Sequence, residues 1–213
     1  MRPVRSRTTS NIKRQFLAEL NRLEGLYDTL IAIRPTSRNS SNPVSWRQTS
    51  DLCEGVFLRA FLGWEEFQER LFLSYLMGKR RPDGRAVGRY FIPKSSKHAR
   101  KIYLDSRGLS DWTEPEVVIQ RADLVFREGR PFRDALLPRI TVLQQLKTIR
   151  NAIAHRSGPA QARFERLVRD AISYLPPGTT PGSFLVSRSP HGTNTQIENY
   201  LDELRGAIQA VAP

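Results

Sequence analysis

The chain carries one cysteine, Cys53, and three histidines, His98, His155 and His191. A lone thiol excludes an internal disulfide, removes most zinc motifs and suits a reducing cytoplasm. There is no G-x-S-x-G elbow, no glycine-rich phosphate loop ending in Lys-Ser/Thr and no H-E-x-x-H pair. Hydrolysis by a triad or a bound metal is therefore not expected, and no cofactor is implied. No apolar run approaches the roughly 18 residues of a membrane span, and the N-terminus lacks the apolar core of a secretory signal. A cytoplasmic protein without membrane contact is expected. Also missing are an internal repeat and a Pro/Gly-rich linker between comparable halves, so the 213 residues read as one domain over 1–213.

What the chain has in excess is positive charge, +13 in all. The distribution says more than the total. Residues 1–14 hold Arg2, Arg5, Arg7, Lys13 and Arg14 with no acid. Residues 79–101 hold Lys79, Arg80, Arg81, Arg85, Arg89, Lys94, Lys97, Arg100 and Lys101 against Asp83 alone. Everywhere else 20 basic residues balance 20 acidic ones. Two confined basic segments point to a polyanion, nucleic acid ahead of membrane, with a merely solubilising surface as the alternative.

Apolar periodicity is helical almost throughout. Thr9-Ser10 can cap a helix to about Ile33 with Ile12, Phe16, Leu20, Leu23, Tyr27 and Leu30 on one stripe, and Arg34-Pro35 ends it before a Ser/Asn-rich loop over 36–42. A longer helix follows from Thr49 or Ser50 to Met77, closed by Gly78. Trp64 reads as core, and Glu66 and Glu69 as solvated-face charges. Residues 79–110 lose the period and read as a basic loop insertion with Tyr90, Phe91 and Tyr103, in which Val87–Ile92 could form a short strand. Cations interleaved with aromatics suit single-stranded RNA, and aromatics that anchor the insertion to the bundle are the alternative. Asp111-Trp-Thr-Glu-Pro opens a helix with Thr113 as cap and Val117, Val118, Ala122, Val125 and Phe126 following, stopped by Gly129 and Pro131. Helices over 138–155 and 161–175, a break at Pro176-Pro177-Gly178, a loop over 178–194 around Phe184 and a last helix over 194–211 complete the chain. The expected fold is all-α, an up-and-down helical bundle with a basic loop insertion and extra terminal helices, the C-terminal loop and helix covering about 176–213.

Two places carry candidate chemistry. Around the stretch Leu146–Gly158, the residues Ile140, Leu143, Leu146, Ile149 and Ile153 are expected to define one buried face, and Ser157-Gly158-Pro159 supplies a stop. Asn151 and His155, four apart, then share a face, and Arg150 can swing toward the same edge. In the long helix, Leu58, Glu65 and Phe72 are spaced by sevens with Leu62 and Leu76 on the same stripe. Glu65 is thus expected to be partly buried, with Arg150 an available cation; a purely structural tie between helices is the alternative.

The Arg150-Asn151 pair with His155 five after the arginine resembles the R-x4-6-H mark of the HEPN superfamily (higher eukaryotes and prokaryotes nucleotide-binding domains), commonly with Asn after the Arg, at the end of a late bundle helix. Leu58-Arg-Ala-Phe-Leu-Gly-Trp-Glu-Glu-Phe looks like the Trp-Glu-x-Phe helix of a prokaryotic branch. The resemblance covers about 50–155, with the flanks matching only as additional helices, and the basic insertion departs from a minimal bundle of this kind. It implies a homodimer whose motifs face each other to form a composite ribonuclease site, and a toxin or antiviral role with a neutralising partner. His155 can take the 2′-hydroxyl proton or protonate the leaving 5′-oxygen. Arg150 offers a planar donor fork to the phosphate. Asn151 can orient the phosphate or the imidazole, and Glu65 can hold Arg150. The bland reading is a His at a helix C-terminus and an ion pair. The rivals to cleavage are a non-catalytic HEPN interaction module and an architectural protein that binds DNA as well as RNA through its basic segments.

Overall fold

A computed structural model describes residues 8–33, 44–103, 111–155, 157–190 and 192–213. Arg2, Arg5, Arg7, the Arg34-Pro35 stop, the 36–42 loop, the 104–110 end of the insertion and His191 lie outside the described residues. The fold is an all-α helical bundle: α1 (Thr9–Ala32), α2 (Trp46–Leu76), α3 (Ser96–Tyr103), α4 (Pro115–Val125), α5 (Phe132–Leu136), α6 (Ile140–Ala154), α7 (Gly158–Ile172), α8 (Pro181–Leu185) and α9 (Gln196–Val211). Among the described residues no helix is long and apolar enough to cross a membrane.

The chain divides into two compact units, the first Met1–Ala18, Gly63–Leu143 and Leu204–Pro213, the second Glu19–Leu62 and Gln144–Glu203. In the first, Phe72 of α2 is the centre of an aromatic cluster: the rings of Trp112, Phe126 and Phe132 lie 5.3, 4.9 and 5.2 Å from its own. Tilted and edge-on rings at these separations add to the area each buries. Trp64 and Phe67 stack at 5.7 Å, with Phe16 of α1 against both. Gly63 admits the Phe16 ring, since a Cβ there would sit 2.8 Å from it. Tyr75 is fully buried, donates its hydroxyl to the Val211 carbonyl at 3.0 Å, and has its pKa pushed up by burial.

In the second unit Tyr27 of α1 donates to Thr195 Oγ1 at 2.8 Å, Phe57 of α2 meets Tyr200 of α9 edge-on at 6.3 Å, and Phe164 of α7 meets Phe184 of α8 at 6.0 Å. Gly182 of α8 lies against the backbone of α2: its amide donates to Glu54 Oε1 at 2.8 Å, and a Cβ would come within 2.3 Å of the Ser50 carbonyl oxygen. Glu19 of α1 accepts from Arg22 and from Arg59 of α2, each with a nitrogen 2.8 Å from Oε1, and these donors hold its carboxyl down to about 2.

The stripe expected on α1 is buried at all six positions. Several boundaries differ from expectation, each for a local reason. Thr8, not Thr9, caps α1, its hydroxyl accepting the Asn11 amide at 3.3 Å, while Thr9 is buried and donates to the Arg80 carbonyl. The long helix starts at Trp46, earlier than Thr49, because Ser45 and Gln48 form a reciprocal capping box, 3.2 and 2.8 Å. Its end is as expected: Gly78 has φ +87°, and the amides of Gly78 and Lys79 return to the carbonyls of Tyr75 and Ser74. Leu62, placed on an inward stripe, is 53% exposed. The insertion is not all loop. It contains α3, whose first turn is capped by Ser95 Oγ, while Val87–Ile92 forms no strand and makes one antiparallel bridge, Arg89 to Phe126. Thr113 does not cap α4; its amide and hydroxyl bind Asp111, and Glu114 stands at the N-cap. Residues 132–136 and 181–185 form the short helices α5 and α8, where a helix stop and a loop were expected.

Phe72→Ala should lower unfolding free energy by about 3–5 kcal/mol, against less than about 1 kcal/mol for Leu62→Ala, as measured by urea unfolding. The Glu19 carboxyl is lowered from 4.5 to about 2 in the fold, so its contribution is present above 4.5 and lost as pH falls toward 2. Glu19→Gln should therefore lose less stability than wild type across that acid window; equal losses would assign the acid sensitivity to other groups.

Candidate nucleic-acid site

The candidate trio is built by α6. Leu143, Leu146 and Ile149 are buried at three-residue spacing and Ala152 joins them, which fixes the helix rotation and leaves Arg150 and Asn151 half-buried. Ile153, expected in the buried face, is half-buried and lines a cavity instead. His155 lies one residue past the end of α6, yet its amide still donates to the Asn151 carbonyl at 2.8 Å, so the four-residue register between the two persists in the backbone. Its carbonyl then accepts the Ser157 amide at 2.8 Å. Ser157 adopts φ −92° and ψ 148° and caps α7 by accepting the Ala160 amide, with Pro159 in the first turn. Ser157-Gly158-Pro159 thus starts α7 at Gly158 rather than 161, and the chain turns between two helices at the histidine.

This corner exposes the His155 side chain. Beside it, Arg150 NH1 donates to Asn151 Oδ1 at 3.1 Å, which commits the amide oxygen and leaves the amide NH2 as the end that can donate to a ligand. The set offers a guanidinium, an amide donor and a solvent-reachable imidazole from one helix end. Glu65 is half-buried, as its heptad position predicts, with Oε1 withdrawn from solvent. It belongs to the first unit and the trio to the second.

The cations of the insertion belong to the first unit and divide by role. Arg80, Arg85, Lys94, Lys97, Arg100 and Lys101 are exposed, and Lys79 is half-buried. Arg89 donates to the Leu76 carbonyl at 3.0 Å and packs on Gly78, so its charge faces the C-terminal end of α2. Arg81 pairs with Asp83 at 3.1 Å. Burial lowers the Lys13 pKa and Asp83 pulls it back up. His98 opens α3, its Nδ1 accepting the Lys94 amide at 3.2 Å.

The periodicity gave no hint of a cavity of about 1100 Å³ in the second unit, lined among others by Trp46, Ser50, Glu54, Ile153, Ser157 and Gln161. None of Arg150, Asn151 and His155 lines it. The Ser45-x-x-Gln48 capping box was the available signal, since it puts Trp46 on α2. Among the described residues no group of three or more His, Cys, Asp or Glu could hold a metal ion. No family model, no curated protein and no solved structure matches the chain.

Removing Arg89 should cost more than removing an exposed cation such as Arg85, which is only loosely paired with Asp83 at 3.8 Å. Arg89→Ala should lower unfolding free energy by about 1–2 kcal/mol and Arg85→Ala by under about 0.5 kcal/mol; equal effects would show that the contact with Leu76 contributes nothing.

Proposed function

We propose that this chain is a HEPN-type endoribonuclease, an all-α homodimer in which the Arg150, Asn151 and His155 sets of two copies face each other. The observation that carries the reading is the corner at the end of α6, where an exposed imidazole follows a guanidinium bound to the neighbouring amide at 3.1 Å. In the reaction, one His155 takes the 2′-hydroxyl proton and the 2′-oxygen attacks phosphorus. The bond to the 5′-oxygen breaks, and the second copy's His155 protonates that oxygen. The products are a 2′,3′-cyclic phosphate and a 5′-hydroxyl end. Arg150 neutralises the charge that builds on the phosphoryl oxygens, and Asn151 donates to the same group. Since the nucleophile is the substrate's own 2′-hydroxyl, no step calls for a metal or cofactor, and DNA is not cut.

A reducing cytoplasmic location suits the buried single thiol of Cys53. A toxin or antiviral role, with a neutralising protein partner, follows from the same family resemblance. The second reading, a non-catalytic HEPN or nucleic-acid-binding module, draws on the exposed cations of the insertion.

The test incubates purified wild type, His155→Ala and Arg150→Ala with mixed RNA in EDTA. Wild type should cleave, and each variant should lose about 100-fold or more in rate. Intact RNA with wild type, or equal cleavage by His155→Ala, would sink the mechanism.

A further inference from the structure

The segment Val87–Ile92 is pinned from within and apolar without. Tyr90 donates its amide to the Val125 carbonyl at 3.0 Å, and Arg127 returns an amide to the Gly88 carbonyl at 3.0 Å. Between them Arg89 bridges to Phe126, a fully buried member of the aromatic cluster, and its guanidinium is held on the Leu76 carbonyl. Gly88 lets the Arg127 stem approach, as a Cβ there would lie 3.1 Å from it. Aromatics that served to anchor the insertion would be buried. Instead Tyr90 is 61%, Phe91 37% and Ile92 73% exposed. A rigid backbone therefore presents two rings and an aliphatic side chain to solvent, around an open hollow of about 630 Å³ that Arg127 also lines.

Arg127 is exposed and lines the same hollow, and exposed Arg85 and Lys94 bracket the rings in sequence within the most basic segment of the chain. A ligand matched to both features has flat apolar faces and a repeating negative charge. We infer that Tyr90 and Phe91, with Arg85, Lys94 and Arg127, form a docking platform for single-stranded RNA, bases stacking on the rings and phosphates meeting the cations. A duplex fits poorly because its bases are already stacked. The inference rests on RNA being the ligand under the proposed function, but not on cleavage.

The test uses the full chain carrying His155→Ala, so that the RNA stays intact, titrated in EDTA with labelled single strands of about 12 nucleotides and followed by anisotropy. Adding Tyr90→Ala and Phe91→Ala together should weaken binding about tenfold, while Tyr90→Trp should preserve it. A single 2-aminopurine in the strand should be quenched by the parent protein and not by the double variant. Arg85→Ala and Lys94→Ala should flatten the salt dependence. A hairpin duplex should bind more weakly and without dependence on the rings. Binding by the double variant within about twofold of the parent, or competition by an acidic peptide equal to that by RNA, overturns the platform. Should the double variant lose its helical circular dichroism, the two single alanine variants read the same loss separately. Ring-dependent binding with no cleavage by wild type sinks the nuclease alone; cleavage with ring-independent binding sinks the platform alone.

Discussion

Burial of the aromatic face of α2 is the constraint on which the rest depends. Phe57 and Phe61 belong to the second unit's core, and Trp64, Phe67, Phe72 and Tyr75 to the first's, all almost fully withdrawn from water. Each ring of this kind buries about 150–250 Å². With that face committed, the other face of the helix is left for polar groups. Glu65, which the heptad spacing marks, is half-buried, as are Glu54 and Glu69, whereas Asp51 and Glu66 are exposed.

Long periodic helices were legible as elements, α1 residue by residue, while Ile140 and Ile153 of α6 are only half-buried and Leu62 of α2 is exposed. All six positions of the α1 stripe are buried, as are Leu143, Leu146 and Ile149 of α6, because a repeat carried over several turns leaves one rotation that hides every apolar group. The short helices were not legible. α5 and α8 have five residues each, too few for a period, and they are held by tertiary contact: Phe132 in the ring cluster, Gly182 against the Ser50 carbonyl. α3 has eight residues and one buried alanine in its middle, Ala99, so its cations concealed it. Cap identity failed where two hydroxyls adjoin, since only the buried environment of Thr9 assigns the cap to Thr8.

At the candidate site the sequence carried the residues but not their division of labour. The register of Asn151 and His155 followed from spacing, whereas the bond between Arg150 and Asn151 joins sequence neighbours that helical geometry points apart by roughly 100°, and depends on the long reach of arginine. Among the basic residues, charge alone cannot separate Arg89, held on the end of α2, from Arg85, which is exposed and only loosely paired with Asp83 at 3.8 Å. Nor could it say which aromatics of the insertion face water. That needs the backbone bonds of Tyr90 and Gly88, formed with Val125 and Arg127 more than thirty residues away.

The corner between α6 and α7 is constrained in length more tightly than in composition. One residue separates His155 from Ser157, and the amide of Ser157 is bonded to the carbonyl of His155. Inserting a single residue would advance the start of α7 by one helical step, roughly 100° of rotation. Either Phe164, Leu167 and Val168 would turn out of the core, or the cap would slip and carry the imidazole with it. The backbone register from Asn151 through Ser157 thus depends on the number of residues at this corner, because an insertion or deletion would break the bonds from Asn151 to His155 and from His155 to Ser157.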